Sequence, residues 1–446
     1  MKKIKVCIIA LSVAIMLNFT ATTSPLVAEG KKSLDNFEKY QILDRISTIL
    51  KLTPFPKIPS AFGERPVLLI LIDYCDFKHD ALHDSEYFEQ LLWGERPSVQ
   101  DYYLEMSYGK FTFVKAGIMG WYESSQSISK KSRNDIARDA YINAAANDSF
   151  HFANYDKNGD GVLTTDELSI VICTSGESIE NPMGAYHNWY LPGGKIKTWD
   201  GMTLDKDYSV VQEWHPMVVF AHELIHSLLL PDFYDYTNKS GGIGLYGLEG
   251  TIGLRCDVSP HLTAWSKIKL GWIEPTIVTT DGFYTIHDVE THAEAYILRD
   301  PHHSKNEYFL VENRFAGSSY DNSTSPLPDQ GILIYHINEN IPRWITPRIW
   351  FPHVNNIEQR KMIDVECADF TTSHFKNADD LDKNINGGDK NDLWDNTEYG
   401  FNSTSSPCRS IWYNGRSNKI GVYALSAPGA NMTVYLSVNG TTPYDK

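Results

Sequence analysis

Two histidines and a glutamate stand in the order His222-Glu223-Leu224-Ile225-His226. Residues four apart share one face of an α-helix, so both imidazoles could bind one metal ion. Glu223 would then reach a water on that metal. Zinc lowers the pKa of such a water to about 7, so that a carboxylate can take its proton and deliver hydroxide to a peptide carbonyl. His222 and His226 are therefore the expected zinc ligands, and Glu223 the expected general base. A catalytic zinc normally has three protein ligands and an open position. Pro231 should stop the helix, and Asp232 should come back toward the metal from the turn, which makes it the expected third ligand. Asp235, Glu249 or a carboxylate further downstream are the alternatives. Tyr234 and Tyr236 could donate to an oxyanion, and Glu213, just ahead of the helix, could support a ligand.

A second pattern runs from Asp156 to Glu167. It fits a twelve-residue calcium loop: oxygen donors Asp156, Asn158 and Asp160, a glycine at Gly161, the carbonyl of Val162, then Thr164 and finally Glu167. The segment after it reads as a strand rather than a helix, so the expected role is structural Ca²⁺ binding, not sensing. An acidic, Asn- and Gly-rich stretch from Asp379 to Asp395 could bind a second Ca²⁺ or be a solvated loop.

These residues need elements to hold them. Val218 to Leu229 is apolar nearly all round, which predicts a buried helix whose imidazoles need partners. Val67 to Asp73 is a continuous apolar run, as in a strand buried on both faces. Ser98 with Asp101 predicts a capped helix ending at Gly109. Asn134 to Ala146 reads as a helix, and Phe111–Val114 and Leu168–Cys173 read as strands. Ser259 with Pro260 predicts the start of a helix that ends at Gly271. Beyond residue 275 the pattern is of short strands, at Phe283–Ile286, Glu307–Glu312, Gly331–Ile337 and Met432–Val438. The expected class is α+β: a mixed sheet with an active-site helix in residues 63–275, then a mostly β domain in 276–446.

Composition fits an exported protein. Forty basic and 56 acidic residues give a net charge of −16, which argues against a nucleic-acid partner. Residues 1–28 read as a secretory signal: Lys2, Lys3 and Lys5 precede the short apolar run Val6 to Leu17, and cleavage after Ala28 follows the pattern. Residues 29–62 read as an N-terminal segment or short propeptide, with an amphipathic stretch from Leu34 to Leu52. No later run is long enough for a membrane span. Without Cys7 the mature chain keeps five cysteines, Cys75, Cys173, Cys256, Cys367 and Cys408. An odd number with no C-x-x-C spacing rules out a disulfide scaffold as the organising principle. A secreted, extracellular monomer acting on proteins or peptides is expected.

Several blocks resemble the immune inhibitor A family of secreted zinc metallopeptidases. They are Ser98-Val-Gln-Asp-Tyr-Tyr-Leu-Glu-Met-Ser-Tyr-Gly-Lys110, Phe220-Ala-His-Glu through Leu230-Pro-Asp-Phe-Tyr-Asp235, Pro260 to Trp272, Glu307 to Arg314 and Gly331 to His336. The resemblance implies a metzincin-like catalytic domain, extracellular proteolysis, one catalytic zinc at the two histidines and Glu223 as general base. Two departures stand out. Leu229 occupies the place of a family glycine, where a leucine would be strained at positive φ. Glu249 falls where the family places a methionine below the metal. The rival expectation is a catalytically silent, secreted metal-binding relative acting as a binding or surface protein. A calcium-stabilised scaffold with a β adhesion half is a third.

Overall fold

The computed structural model describes residues 61–446 except 130–132, 177–183, 190, 192, 205–206, 238, 251–259, 316–319, 321–326, 342–343, 347–348, 351–354, 356–360, 370–380, 382–386, 407 and 446. The predicted signal (1–28), nearly all of the 29–62 segment, Ser259, Cys256 and Asp379 lie outside the described residues. All described residues belong to one compact unit, Ser47–Lys446. The class is mixed α and β, with several sheets and few helices.

The first half is built on β1 (Gly63–Asp73), α1 (Ser85–Trp93), α2 (Val99–Met106), β2 (Phe111–Glu123) and α3 (Arg133–Ala146). Short strands follow: β3 (Val162–Leu163), β4 (Ser169–Thr174), β5 (Tyr186–Asn188), β6 (Ile196–Lys197), β7 (Thr203–Leu204) and β8 (Tyr208–Gln212), then helix α4 (Met217–Ile225). The main sheet runs β2-β1-β4-β8-β5, parallel except for β5, which pairs antiparallel with β8 at the edge.

The apolar run in β1 is buried on both faces, as its composition demands. Side chains alternate along a strand. Val67, Leu69 and Leu71 pack with α1, α2 and α4, whereas Leu68, Ile70 and Ile72 pack with Ile136, Ala140 and Ala144 of α3. The sheet is thus a middle layer, and α4 lies on one side of it. Ser98 caps α2 by accepting the Asp101 amide at 3.2 Å, as its sequence predicts.

After α4 come α5 (Ala264–Lys269) and strands β9 (Thr276–Ile277), β10 (Gly282–His287), β11 (Tyr296–Leu298), β12 (Glu307–Arg314), β13 (Gly331–Asn338), β14 (Trp344–Thr346), β15 (Ile349–Trp350), β16 (Ile363–Val365), β17 (Gly421–Ala424) and β18 (Asn431–Ser437). Two sheets dominate, β16-β13-β12-β11-β9 and β10-β18-β17. Alternation again assigns faces: Phe309 and Val311 of β12 meet the second sheet, and Tyr308 and Leu310 join the cluster containing α4.

One helix start differs from its sequence signal. Helix α5 begins at Ala264, not at Pro260, and Thr263 caps it by accepting the Ser266 amide. Tertiary bonds hold the preceding residues: Tyr102 donates to the Pro260 carbonyl, and His261 lies 2.9 Å from Glu105 and 3.0 Å from the Lys267 ammonium. Strand β2 is also longer than the Phe111–Val114 core that its composition marks.

Candidate metal centre

Every residue of α4 is buried, and a 3₁₀ turn, His226–Leu228, extends it. The chain then turns at Leu229, whose φ of 63° and ψ of 26° lie in the left-handed region. Its amide donates to the His226 carbonyl at 2.8 Å. This turn, followed by Pro231, returns Asp232 to the helix face that carries the histidines.

The histidine tautomers follow from their neighbours. His222 Nδ1 lies 2.7 Å from the Leu248 carbonyl, and His226 Nδ1 lies 2.8 Å from the Leu230 carbonyl. A carbonyl only accepts, so each Nδ1 carries its proton and each neutral ring turns a bare Nε2 inward. Those two Nε2 atoms lie 3.0 and 3.4 Å from Asp232 Oδ1. That oxygen is buried and has no hydrogen-bond partner, whereas Oδ2 accepts the Tyr236 hydroxyl. Three electron-pair donors thus converge in a dry place, an arrangement that only protons or a cation can stabilise. Two imidazoles and a carboxylate match the donor set of zinc.

Electrostatics agree. Burial alone would lower His222, but the negative charge of the facing Asp232 carboxylate pushes it up to about 9, and His226 is raised in the same way. Burial would raise Asp232, yet the two imidazoles hold it well below the usual carboxylate range. The cluster has a strong demand for positive charge, which a dication would meet without the protons.

Glu223 is only 5% exposed, and its Oε2 has no hydrogen-bond partner. Burial pushes it up to about 7, with His222 and His226 opposing. A carboxyl group near neutrality can both take and return a proton.

The alternative third ligands Asp235 and Glu249 lie outside the converging group. Asp235 Oδ1 accepts from Thr237, and Oδ2 accepts the amides of Lys239 and Ser240. Glu249 is fully buried and raised by that burial, with Oε1 3.4 Å from the Thr263 hydroxyl. It is not in the metal-competent group, which comprises His222, His226 and Asp232. Glu213 accepts from the Asp80 and Gly176 amides and lies 2.9 Å from His83 Nδ1, so it braces loops. The Tyr236 hydroxyl binds Asp232, and the Tyr234 ring lies 6.4 Å from the His222 ring, between centroids.

The acidic loop closes on its own amides. Asp156 Oδ1 accepts from Gly159 and Asp160, and its Oδ2 accepts from Gly161. Asn158 accepts from Asp160, and Asp160 from Val162. Glu167 folds back to accept the amides of Lys157, Asn158 and Thr164 and the Thr164 hydroxyl. Its carboxylates and glycines Gly159 and Gly161, both at φ 74°, make a tight turn. In the second acidic stretch, Asp389 and Asp392 gather with Asp369, 23 residues upstream of Asp392.

The sequence does not signal Arg65, Asp207 or Ser209. Each is an ordinary polar residue in or beside a strand, and only the fold brings Ser209 to the Glu223 carbonyl, Arg65 to the Ser227 carbonyl and Asp207 to His187.

No family model matches the chain. Its sequence is 26% identical, over an alignment of 229 residues, to Immune inhibitor A of Bacillus thuringiensis subsp. alesti. The match covers 38% of this chain and 33% of that protein. The chain is a distant relative of Immune inhibitor A. It spans about a third of the length of the curated relative it matches. No helix among the described residues is long and apolar enough to cross a membrane.

Proposed function

We propose that the protein is a secreted zinc-dependent endopeptidase with a metzincin-like catalytic region in residues 63–275 and a mostly β region in 276–446. One observation carries this reading: Nε2 of His222, Nε2 of His226 and Oδ1 of Asp232 converge beside the buried carboxyl of Glu223. The distant relationship to Immune inhibitor A supports the same reading.

In this proposal His222, His226 and Asp232 hold the zinc. The Leu248 and Leu230 carbonyls fix the imidazole tautomers, so the lone pairs point inward before metal arrives. Tyr236 orients Asp232 through the other carboxylate oxygen. Zinc, when bound, supplies Lewis acidity that acidifies water and polarises a substrate carbonyl. Glu223 accepts a proton from the attacking water and returns it to the leaving amine. Burial raises its affinity for protons above that of an exposed carboxylate, which favours its role as proton acceptor. Leu229 reaches the left-handed conformation that a glycine would take easily, so the missing glycine does not remove the turn. That favours the enzyme over the catalytically silent reading. The loop with Asp156, Asn158, Asp160, Val162, Thr164 and Glu167 is proposed as a structural Ca²⁺ site.

The test is Glu223→Gln. The variant should fold, retain one zinc per chain and lose casein cleavage by at least about a hundredfold. Full proteolysis by this variant would refute the assignment.

A further inference from the structure

The carbonyls at the end of a helix lack partners within the helix. Along α4 and its 3₁₀ extension, side chains from other elements bond to backbone carbonyls, inside the helix as well as near its end. Tyr103 of α2 donates to the Ala221 carbonyl at 2.7 Å. Ser209 of β8 donates to the Glu223 carbonyl at 2.8 Å, so the residue with the candidate base is gripped through its own backbone. Arg65 of β1 donates to the Ser227 carbonyl at 3.3 Å, one residue beyond His226.

Two of these donors lead back to the acidic loop. Arg65, 2% exposed, also donates to Asp166 of the loop at 3.0 Å. Ser209 Oγ lies 3.0 Å from His187 Nδ1, and His187 Nε2 lies 3.2 Å from Asp207 Oδ2. Asp207 Oδ1 accepts the hydroxyl of Thr165, the loop residue beside Asp166. The His187 ring also packs against His226, with centroids 5.7 Å apart. Two routes, one through Arg65 and one through Asp207, His187 and Ser209, thus run from neighbouring loop residues to the carbonyls of Glu223 and Ser227.

We infer that Arg65 and the Asp207–His187–Ser209 chain are positioning residues that tie the loop 156–167 to the metal-binding helix, so that loop geometry sets the placement of Glu223 and His226. The inference rests on the peptidase reading for its catalytic consequence only. The mechanical link stands on the hydrogen bonds themselves.

Thr165→Val removes the hydroxyl at the far end of one route and touches neither helix nor ligands. Arg65→Met cuts the other route while keeping much of the side-chain bulk, and Arg65→Lys is its conservative partner. Amide hydrogen exchange by mass spectrometry, read on peptides covering 217–228, reports the link whether or not the protein cleaves anything. Thr165→Val and Arg65→Met should each raise exchange there several-fold and weaken zinc retention against a chelator about tenfold. In casein-peptide kinetics kcat should fall and KM stay level, and Arg65→Lys should recover part of both losses. The double variant Thr165→Val with Ser209→Ala should cost no more than the worse single change, since both cut one route. Exchange that changes only within 156–167, or full additivity of that pair, would overturn the inference. A wild-type protein with neither zinc nor cleavage would sink the peptidase reading, and the exchange result would still decide the link.

Discussion

Leu229 allows a quantitative test of how the turn after the helix is held. A non-glycine residue in the left-handed region costs about 1–2 kcal/mol. Leu229 is half-buried, and full burial of a leucine stabilises by about 1.5–3 kcal/mol, so its contribution here is about 1 kcal/mol. Glycine would relieve the strain, lose that burial and add about 0.5–1 kcal/mol of unfolded-state entropy. These terms nearly cancel, so Leu229→Gly should lie within about 1 kcal/mol of the wild type. Leu229→Val should be worse by at least about 1 kcal/mol, because a branched Cβ tolerates positive φ poorly. Urea unfolding of both variants, with zinc saturating in one series and chelated in another, measures the two differences. A glycine variant that loses more than about 2 kcal/mol, or a valine variant equal to the wild type, would refute the claim that the turn is strained at this residue.

Two further predictions concern stability. Hydrogen bonds from His336, from His303 and from the Tyr413 amide hold Glu307 down to about 2 against the effect of burial. Bonds to Glu307 and Glu366 likewise push His336 up to about 9. The Glu307 contribution is present above its unfolded value of 4.5 and is lost as pH falls toward 2. The His336 contribution is present below 6.5 and is lost as pH rises through 9. Thermal unfolding should therefore show a maximum for this cluster between pH 4.5 and 6.5, and His336→Gln should flatten the alkaline limb. Added Ca²⁺ should raise the unfolding free energy by about 2.7 kcal/mol at a hundredfold excess over Kd, and Glu167→Gln should abolish the gain; an identical response in both proteins would refute the loop assignment.

The sequence makes some of this legible because the physics is local. The apolar run 67–73 has to be a doubly buried strand, and the His222–His226 spacing puts two imidazoles on one helix face without any tertiary knowledge. Asp232 was one of several carboxylates that could complete the set. Proposing it over Asp235 rests on the path of the chain after Leu229 and on the amides that occupy Asp235. Helix α5 starts later than the local cap Ser259-Pro260 predicts, because bonds with Tyr102, Glu105 and Lys267 hold Pro260 and His261 outside it. His187 stands in the sequence beside Tyr186 and Trp189, with no local pattern that marks a polar partner. Its link to Asp207 and Ser209 appears only once β5 pairs with β8.

The central claim is that one zinc, held by His222, His226 and Asp232, serves peptide-bond hydrolysis. Its most direct test is metal analysis of the purified protein joined to a casein assay with and without a zinc chelator. The account predicts one zinc per chain and cleavage that the chelator stops and added zinc restores. Bound zinc without chelator-sensitive cleavage, or cleavage without zinc, would contradict it.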